Sequence, residues 1–538
     1  MPRTAIEINV LGTSIPVSVD EEPEYLEHLL KVYKNKITEI QNVTGLSNPL
    51  KSAILTGFSL CDECEKARKA SRENEENNKK AADKPDHDET ERLTLSLISR
   101  LDNILASDED IESAKKHIYK LHNVIKDYDW GSKDWIPELI NMKNDKNIPC
   151  AELWMGVHPE GPSKIIPANC EASANQDSSP EVYQELRELI EKNPAAFLGE
   201  EKAHIFGTLP FLFKALAAEK PLSIQAHPSL AQAREGWSEE NEKGIPVTAP
   251  NRNYKDANHK PEILCALQPF TAMAGFREPL EIKNLLELFL SNASYSLKIS
   301  LKPLLFALEE NAPLKKFLGL LFSLSPQLLD ALNSYALEQG AQGNPPAEWK
   351  YIAQFAAAYP RDPAIISPLY LNLIHLDPGE AIFLPAGILH AYVYGLGMEL
   401  MANSDNVLRG GLTSKYIDIP ELMHVLDFSP FKPEIIKGIG DASGEYEYPV
   451  PSREFSLSVI KGGENIYLET GPSIIFVTEG KLTINTPASA GGINMIPEII
   501  LEKGESAFIP AGNKGLIFSG GYTLYTAGIG LITNADSG

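Results

Sequence analysis

The segment PGEAIFLPAGILHAYVYGLGMELMANSDNVLRGGLTSKYID, residues 378–418, decides the fold. It begins with turn residues at Pro378-Gly379, continues as a short apolar run, and turns again at 385–387. Short apolar runs bounded by Gly and Pro are typical of antiparallel strands. The segment therefore predicts two strands of a small β-barrel.

A histidine lies on the second of these strands. A strand over 388–394 places alternate residues on one face, and that face carries Ile388, His390, Tyr392 and Tyr394. A buried imidazole needs a partner for its polar atoms. The Gly- and Asn-rich segment that follows contains Glu399, Asp405, Arg409 and Lys415. These features predict a functional site at the barrel mouth; the alternative is a satisfied core histidine beside a solvated loop.

Length and charge limit the classes of function. The 538 residues exceed what one hydrophobic core supports and predict three or four domains. A net charge of -24 argues against nucleic acid and against an anionic membrane surface as general partners. No apolar run approaches about 18 residues and the N-terminus lacks a secretory pattern. We therefore expect a cytoplasmic protein without a membrane span.

The cysteines carry little functional information. Five cysteines in a chain of this length do not form a disulfide framework. Cys61 and Cys64 have the spacing of a metal or redox pair, but a zinc ribbon would need a second pair, which the sequence lacks. Two small apolar residues at i and i+3 of a helix are the favoured interpretation, with metal or redox chemistry as the alternative.

The first hundred residues have a pattern of their own. Residues 4–19 alternate as two short strands. Amphipathic helices are predicted from Pro23 and from Pro49, the second one interrupted near 83–89. Because the apolar stripes of these helices are too narrow for an independent core, we expect them to pair with another copy and give a homo-oligomer.

This order of elements resembles the ZapA family of bacterial division-ring proteins. The resemblance rests on the hairpin IEINVLGTSIPVSV at 6–19, the amphipathic helix from Glu22, and the long helix after LSNP at 46–49. It covers about residues 4–105. It implies a module that associates through its long helices and contacts a tubulin-like division protein.

A different pattern starts after a polar linker at 106–116. A strand is predicted over 117–121, and a strand followed by a turn over 151–164. Residues 209–216 are predicted as a helix with one lysine. His158 precedes a proline in a loop, and we expect it to be exposed.

The predicted strand at 221–229 has an unusual polar face. Ser223, Gln225 and His227 lie at i, i+2 and i+4 and share one side of the strand. A polar face of this kind suits a strand that lines a cavity. The alternative is an edge strand with a polar outer face.

Two further strands repeat this pattern. Lys260 and Glu262 precede the apolar run 263–267, and a carboxylate that enters a core must be paired or coordinated. His390 and Tyr392 form the third pair. The three strands together offer an amide, two imidazoles and a carboxylate, a plausible set of ligands for a divalent metal with room for water or substrate: Gln225, His227, Glu262 and His390.

Leucine-rich helices and an internal repeat complete the chain. Residues 278–345 predict three or four helices inserted before the barrel resumes. The motif KGESAFIPAG at 503–512 repeats PGEAIFLPAG at 378–387, and Gly515 stands at the place of His390. The C-terminal copy is therefore predicted to be a structural scaffold that lacks this ligand.

Five motifs together resemble the type I mannose-6-phosphate isomerase family. They are AELWMGVHP (151–159), LPFLFKALAAEKPLSIQAHP (209–228), NYKDANHKPEILCAL (253–267), LPAGILHAY (384–392) and MANSDNVLRGGLTSKYIDIPEL (401–422). The resemblance covers about residues 117–538. It implies a mainly β fold with α: a cupin-type jelly-roll core with a helical insertion and a second β-domain, preceded here by the small α+β module with its long helix.

The predicted domain plan follows from both resemblances. Its parts are the ZapA-like oligomerisation module at 1–105, the linker at 106–116, the cupin in two parts at 117–277 and 366–439, the helical insertion at 278–365, and a degenerate cupin-like β-domain at 440–538.

The second resemblance also implies an activity and a metal site. The family interconverts mannose 6-phosphate and fructose 6-phosphate through a cis-enediol, which supplies mannose for GDP-mannose and sugar metabolism. One Zn²⁺ per chain would be held by Gln225, His227, Glu262 and His390. Arg409 matches the active-site arginine of the family.

The remaining roles are assigned on charge and position. We expect Lys260 to be the proton-shuttling base, with Glu399 and Asp405 as rivals and His259 assisting ring opening. Charge and hydrogen-bonding capacity suggest the residues that contact the phosphorylated sugar: Lys214, Ser223, Lys415 and Tyr392.

Two other classes of function remain open. A different metal cupin, such as an iron oxygenase, would use two histidines and one carboxylate; Gln225 and the pair of Lys260 and Arg409 argue against it. A non-catalytic cupin scaffold in cell division would not need the intact ligand set.

Overall fold

The computed structural model describes residues 4–10, 13–19, 31, 34, 36, 117–166, 183–440, 444–463, 466–469, 471–485 and 498–530. The chain divides into two compact units, Met1–Ser107 and Asp108–Gly538. Residues 31, 34 and 36 are helical, as the helix predicted from Pro23 requires. The rest of that helix, the helix from Pro49, the pair Cys61 and Cys64, and the linker at 106–116 lie outside the described residues.

The N-terminal unit contains a β-hairpin. Strand β1 (Thr4–Val10) pairs antiparallel with β2 (Thr13–Val19), and Val10 lies opposite Thr13 across the turn. This is the hairpin that the alternation at 4–19 predicts.

The second unit contains two antiparallel sheets, and eleven described strands form the first. Two additional strands from this part of the chain, β3 (Tyr119–His122) and β6 (Lys164–Ile165), belong to the other sheet. The strands of the first sheet are β4 (Val124–Lys126), β5 (Glu152–Gly156), β7 (Phe211–Ala218), β8 (Ile224–Ala226), β9 (Glu262–Ala266), β10 (Phe270–Phe276), β11 (Leu371–Leu376), β12 (Glu380–Leu384), β13 (His390–Ala402), β14 (Leu408–Gly411) and β15 (Ile436–Lys437).

Strand β13 organises this first β-domain. Its C-terminal part pairs with β7 and β9 in one layer, whereas its N-terminal part pairs with β8 and β10 in the other. A single 13-residue strand thus joins both layers, so a residue at its start and one near its end face different parts of the same interior. This arrangement agrees with the predicted jelly-roll core.

Strands from both ends of the unit form the second β-domain. They are β3 and β6 together with β16 (Ile439–Gly440), β17 (Glu445–Tyr448), β18 (Ser456–Lys461), β19 (Ile466–Glu469), β20 (Ser473–Asn485), β21 (Ile499–Glu502), β22 (Ser506–Ile509), β23 (Lys514–Ser519) and β24 (Tyr522–Gly528). β20 is again 13 residues long and pairs with β22 and β24 on one side and with β21 and β23 on the other.

The placement of β3 differs from the predicted domain plan. The plan assigns 117–277 entirely to the first part of the cupin, but β3 pairs with β22, with Leu121 opposite Ser506. Leu121 is fully buried in a core that both β-domains share. A local strand pattern cannot show which sheet receives the strand, because the partner lies almost 400 residues away.

The helices are concentrated between β10 and β11. They are α1 (Trp135–Leu139), α2 (Leu186–Lys192), α3 (Pro194–Leu198), α4 (Glu200–Phe206), α5 (Leu230–Glu242), α6 (Pro279–Phe289), α7 (Tyr295–Ala307), α8 (Pro313–Phe322), α9 (Pro326–Gly340), α10 (Ala347–Ala358), a 3-10 turn at Pro363–Ile366, α11 (Ser367–Tyr370) and α12 (Ile419–Val425). Helices α6 to α10 pack their leucine-rich faces around Phe289, Phe317 and Phe355, all fully buried.

The helix predicted over 209–216 is wrong. This segment forms β7, between β13 and β5, and all eight of its residues are buried. A strand that is covered on both faces has no polar alternation, so a short apolar run cannot be told from a buried helix by periodicity.

Glycine conformations support the internal repeat. Gly379 and Gly504 have φ of 86° and 88°, and Gly387 and Gly512 have φ of 79° and 86°. These are the two turn glycines of each copy, and left-handed backbone of this kind favours glycine. The repeated motif therefore builds the same two turns in both β-domains.

In the described parts of the chain, no helix combines the length and the apolar character that crossing a membrane requires.

Candidate metal centre and active site

Three strands bring the predicted ligands to one point. His390 starts β13 and lies opposite Gln225 of β8. Glu262 starts β9, between Leu384 and Met401 of the neighbouring strands. Residues opposite one another on adjacent strands project their side chains to the same face. Glu262 and His390 start their strands, whereas Gln225 lies within β8 and His227 follows directly after its end.

A histidine–glutamate–histidine cluster lies at this point. The Nε2 atoms of His227 and His390 are each 3.3 Å from a carboxylate oxygen of Glu262. The three ligand atoms lie within 4.8 Å of one another, and all three side chains are almost completely buried. The amide nitrogen of Gln225 is 3.5 Å from His390 Nε2, which makes it the fourth side chain of the cluster.

The hydrogen bonds of the two imidazoles fix where their protons lie. His227 Nδ1 is 2.7 Å from the carbonyl oxygen of Asn406, and His390 Nδ1 is 2.9 Å from that of Ile388. A carbonyl only accepts, so each Nδ1 carries a proton and donates it. In the neutral ring Nε2 is then a lone-pair donor, and both Nε2 atoms face Glu262.

A cation fits this arrangement. His227 Nε2 and Glu262 Oε2 are buried and have no hydrogen-bond partner among the described residues, and leaving such atoms unpaired is costly. Two imidazole nitrogens, a carboxylate and an amide are ligands that a divalent ion accepts, and the backbone carbonyls behind the rings orient them.

The electrostatics keep the ligands in their binding forms. Burial lowers the pKa of His227 to about 4, so the ring is neutral near pH 7. Burial alone would raise the pKa of Glu262, but His227 and Lys260 outweigh it and the pKa lies well below its usual value. Glu262 is therefore an anion in the interior.

Lys260 and Arg409 lie beside the cluster. Lys260 Nζ is 3.4 Å from Glu262 Oε1 and is largely buried. Arg409 on β14 lies opposite Gln225, so its side chain is on the same face as the cluster. Arg409 is half-buried, burial lowers its pKa, and no described acid forms an ion pair with it.

A second cation lies close to Arg409. Burial and the charges of Arg409 and Lys255 lower the pKa of Lys415, so Lys415 lies within electrostatic range of both. Lys255 and Lys415 are exposed. Lys255 was not predicted as a site residue, since a lysine in a polar loop reads as solvated.

Lys214 lies in a different environment from the one predicted. Its Nζ is 2.7 Å from Glu399 Oε2 and 3.4 Å from Glu152 Oε1, and all three side chains are buried. Burial would lower the pKa of Lys214, but the two carboxylates outweigh it and raise the pKa. Burial raises the pKa of Glu399, and Lys214 offsets this only in part. The charge of Lys214 is thus balanced within the protein.

His158 was expected to be exposed, and this is wrong. Only 3% of the residue is accessible, and its ring packs edge-on against Trp154, with 4.8 Å between ring centroids. His158 Nδ1 accepts from the Glu160 backbone N–H, and Nε2 is 3.6 Å from Asp405 Oδ1. Its position directly after the fully buried strand β5 was the signal that could have placed it inside.

Asn406 is a second residue that the sequence argument missed. It is fully buried. Its side chain accepts from the Lys255 backbone N–H and donates to the carbonyl oxygens of Asp256 and Asn258, while its own carbonyl accepts from His227. This residue joins the loop after β13 to the loop before β9.

The remaining predicted residues are distributed around the site. His259 Nε2 is 2.9 Å from Glu454 Oε1, so its ring pairs with a residue of the second β-domain. Tyr392 is fully buried, whereas Tyr394, predicted on the same face, is 48% exposed. Ser223 is half-buried two residues before Gln225.

The fold and the site together define a candidate metalloenzyme built on a cupin-type β-domain. Comparison with known proteins identifies the class further. The family model for the phosphomannose isomerase type I catalytic domain matches residues 118–279, and that for the cell division protein ZapA matches residues 6–120.

Full-length relatives match most of the second unit. The mannose-6-phosphate isomerase of Salmonella typhimurium is 40% identical over 411 residues, which cover 74% of this chain and 97% of the relative. The human mannose-6-phosphate isomerase is 31% identical over 430 residues, covering 74% and 94%. A crystal structure of zinc-bound mannose 6-phosphate isomerase has a TM-score of 0.67 at 36% identity and covers 77% of this chain and 100% of that chain.

The chain therefore belongs to the mannose-6-phosphate isomerase family and is an isomerase, with a ZapA domain at its N-terminus.

Proposed function

We propose that the chain uses one zinc ion, held by Gln225, His227, Glu262 and His390, to interconvert mannose 6-phosphate and fructose 6-phosphate. The observation that supports this most directly is the buried cluster in which two unprotonated imidazole nitrogens face one carboxylate. Relatives and solved structures of the same family, one of them zinc-bound, support the choice of metal and substrate. When bound, the zinc ion supplies a positive charge that polarises substrate oxygens and stabilises an enediolate.

The reaction needs one group that moves a proton between adjacent carbons. A base takes the proton from C2 of the aldose and returns it to C1, while the O2 proton passes to O1; the intermediate is a cis-enediol. Lys260 is the favoured base because its amine borders the cluster at Glu262 and is partly accessible.

The rival bases are less well placed. Glu399 is 2% exposed and its carboxylate is bound to Lys214. Asp405 is more accessible, with 32% of its side chain exposed, but its carboxylate faces His158 at 3.6 Å. Its backbone N–H donates to Asp256 Oδ2, which fixes the loop at this point. His259 is paired with Glu454, which does not favour a role in ring opening.

Arg409 and Lys415 are the favoured partners for negative charge on the substrate. Neither forms an ion pair with a described acid, and the charges of Arg409 and Lys255 both lower the pKa of Lys415. Arg409, next to Gln225, would stabilise charge that develops on the reacting oxygens. Lys415 and Lys255 are then left for the phosphate, and Lys214 stabilises the interior instead.

The ZapA domain is proposed to make the enzyme a homo-oligomer and to bring it to a tubulin-like division protein in the cytoplasm. The match to residues 6–120 supports this assignment. Comparing the mass of the full chain with that of a 107–538 fragment tests it. A larger assembly for the full chain is expected, and equal masses per chain would contradict the oligomerisation.

A coupled assay on mannose 6-phosphate tests the catalytic proposal. The wild-type chain should form fructose 6-phosphate, and a chelator should stop the reaction until zinc is restored. Arg409→Ala should bind zinc normally but turn over slowly. Full activity in the chelator, with zinc shown to be absent, would contradict the metal assignment.

A further inference from the structure

The interior of the second β-domain changes from apolar to hydroxylated at one end. On β18, Ser456 and Ser458 share a face with Ile460, and on β20, Ser473 shares a face with Ile475. Ile460 and Ile475 belong to the apolar core of this domain. On β24, Thr526 follows the core residue Leu524 on the same face.

The strand register brings these hydroxyl groups together. Thr526 lies opposite Ser458 on one side and opposite Ile475 on the other, and Gly528 lies between Ser456 and Ser473. Four hydroxyl side chains from three neighbouring strands therefore surround one point. Gly528 has no side chain to separate them, and a Cβ at this position would lie 3.0 Å from Ser456 Oγ.

Two of these hydroxyls are buried without a partner. Ser473 is 4% exposed, and neither its Oγ nor Thr526 Oγ1 has a hydrogen-bond partner among the described residues. Ser458 differs, since its hydroxyl donates to Glu445 Oε1 at 2.6 Å. An unpaired hydroxyl in a core is destabilising, and valine or alanine would fill these positions without that cost. The hydroxyl groups of Ser473 and Thr526 are therefore available to hydrogen-bond to a ligand that enters from solvent.

The hydroxyls line a cavity of about 200 Å³. A water molecule occupies roughly 30 Å³ in the liquid, so the cavity has room for a ligand of several heavy atoms. Ile460, Ile475 and Phe518 form its apolar floor. An apolar floor with a few convergent polar groups at the end of a β-domain is the usual form of a small-molecule site.

A lysine side chain lies at the entrance of this cavity. Lys202 of α4 lines the cavity and is half-buried. Burial lowers the pKa of Lys202, with Glu201 opposing this, and no described acid forms an ion pair with the amine. The one acid in the lining, Glu445, is bound to Ser458. The entrance thus presents positive charge beside the unpaired hydroxyls.

We propose that this cavity is a binding site for a small phosphorylated polyol, separate from the metal centre. The hydroxyl groups of the ligand would bond to Ser473 and Thr526, and its phosphate would meet Lys202. The proposal does not depend on the isomerase mechanism, because no residue of the metal centre lines the cavity.

Calorimetric titration of the zinc-loaded full chain tests this site. Glycerol 3-phosphate is the probe, with glycerol and inorganic phosphate as separate titrations. We expect the phosphate ester to bind at one site per chain more tightly than either fragment. The combined change Ser473→Ala and Thr526→Val should weaken this binding by about tenfold or more, because two hydrogen bonds are lost while shape is kept.

Three further variants separate the possible outcomes. Lys202→Met should remove the preference for the phosphate ester over glycerol, while Lys192→Met, an exposed lysine of α2, should change nothing. Arg409→Ala should leave the titration unaltered. Binding that is lost in Arg409→Ala, unchanged in both cavity variants, or undetectable in the wild type would overturn the proposal. Isomerase activity of the same samples reports on the metal centre independently and shows that the cavity variants are folded.

Discussion

The two β-domains of the second unit share a frame but differ in what fills it. Each has a 13-residue strand that joins two layers, and each has the same pair of turns with left-handed glycines. The first frame carries His390 directly after its second turn; the second carries Gly515 there, with φ of 66°. The same strand-and-turn scaffold therefore occurs once with a histidine at this position and once with a glycine.

The two β-domains also differ in the charged side chains that line their interiors. The first β-domain buries four charged side chains near the cluster: Glu262, Lys214, Glu152 and Glu399. Burying a charged side chain is destabilising unless a group of opposite charge lies beside it. The cavity of the second β-domain is lined mainly by hydroxyl and apolar groups, with Lys202 at the entrance and Glu445 bound to Ser458. Mutations can test whether the chemistry is confined to the first domain.

Removal of a ligand should have the largest effect. Glu262→Ala takes away the only anion of the cluster, so we expect zinc binding to weaken by more than the roughly 100-fold typical for a supporting residue, with activity lost in parallel. Metal analysis and the coupled assay measure both. Glu502→Ala, an exposed carboxylate of the second β-domain, is the matched control and should behave as wild type. Zinc retained by the Glu262→Ala variant would contradict the placement of the metal site in the first β-domain.

Removal of the arginine should have the next largest effect. Arg409→Ala should lower kcat by about 10²- to 10³-fold with little change in zinc content, because one group that stabilises developing charge is lost. Arg409→Lys should recover part of the rate. The control is Arg361→Ala, which removes an exposed ion pair with Asp330 and no residue of the cluster. Unchanged kcat in the Arg409 variant would remove this residue from the mechanism.

A core mutation in the second β-domain should separate stability from activity. Leu524 is fully buried, and Leu524→Ala should reduce the free energy of unfolding by about 2–5 kcal/mol. At a temperature where the variant is folded, kcat and KM should be those of wild type. Denaturant unfolding followed by the assay provides both values. A change in KM for mannose 6-phosphate would show that the two domains are coupled.

The pH dependence of stability should reveal one contact between the domains. Burial would raise the pKa of Glu454, but the hydrogen bond from His259 outweighs it and lowers the pKa from 4.5 to about 2. A lowered carboxyl pKa stabilises the fold above the unfolded pKa, and this contribution is lost as the pH falls from about 4.5 toward 2. We expect about 1–2 kcal/mol after allowance for solvent screening.

Glu454→Gln provides the check for this smallest effect. The variant should unfold more easily at pH 6 but lose less stability than wild type between pH 5 and pH 3. Identical pH profiles for the two proteins would show that the His259–Glu454 contact contributes nothing measurable.

The residues of the buried cluster could be singled out in the sequence because each lies in a short motif at strand spacing. Gln225, Glu262 and His390 alternate with apolar residues, and period-two alternation survives folding. Their convergence depends on the register of β8, β9 and β13, which the motifs do not contain. The resemblance to a family indicated that these residues converge.

Other features depended on tertiary context. Lys214 was assigned to a helix and to the phosphate, yet it lies in a fully buried strand between Glu152 and Glu399. Neither carboxylate is near it in sequence. His158 and β3 were misplaced for the same reason, since a loop after a strand or a strand at a domain border takes its burial from distant partners.

The most direct test of the account is the amount of zinc per chain measured together with isomerase activity. Purified full-length protein should contain one zinc per chain, lose both metal and activity in a chelator, and recover both when zinc is returned, whereas His390→Ala should contain none. Undiminished activity in metal-free protein, or zinc retained by His390→Ala at the wild-type level, would contradict the assignment of the chemistry to the first β-domain.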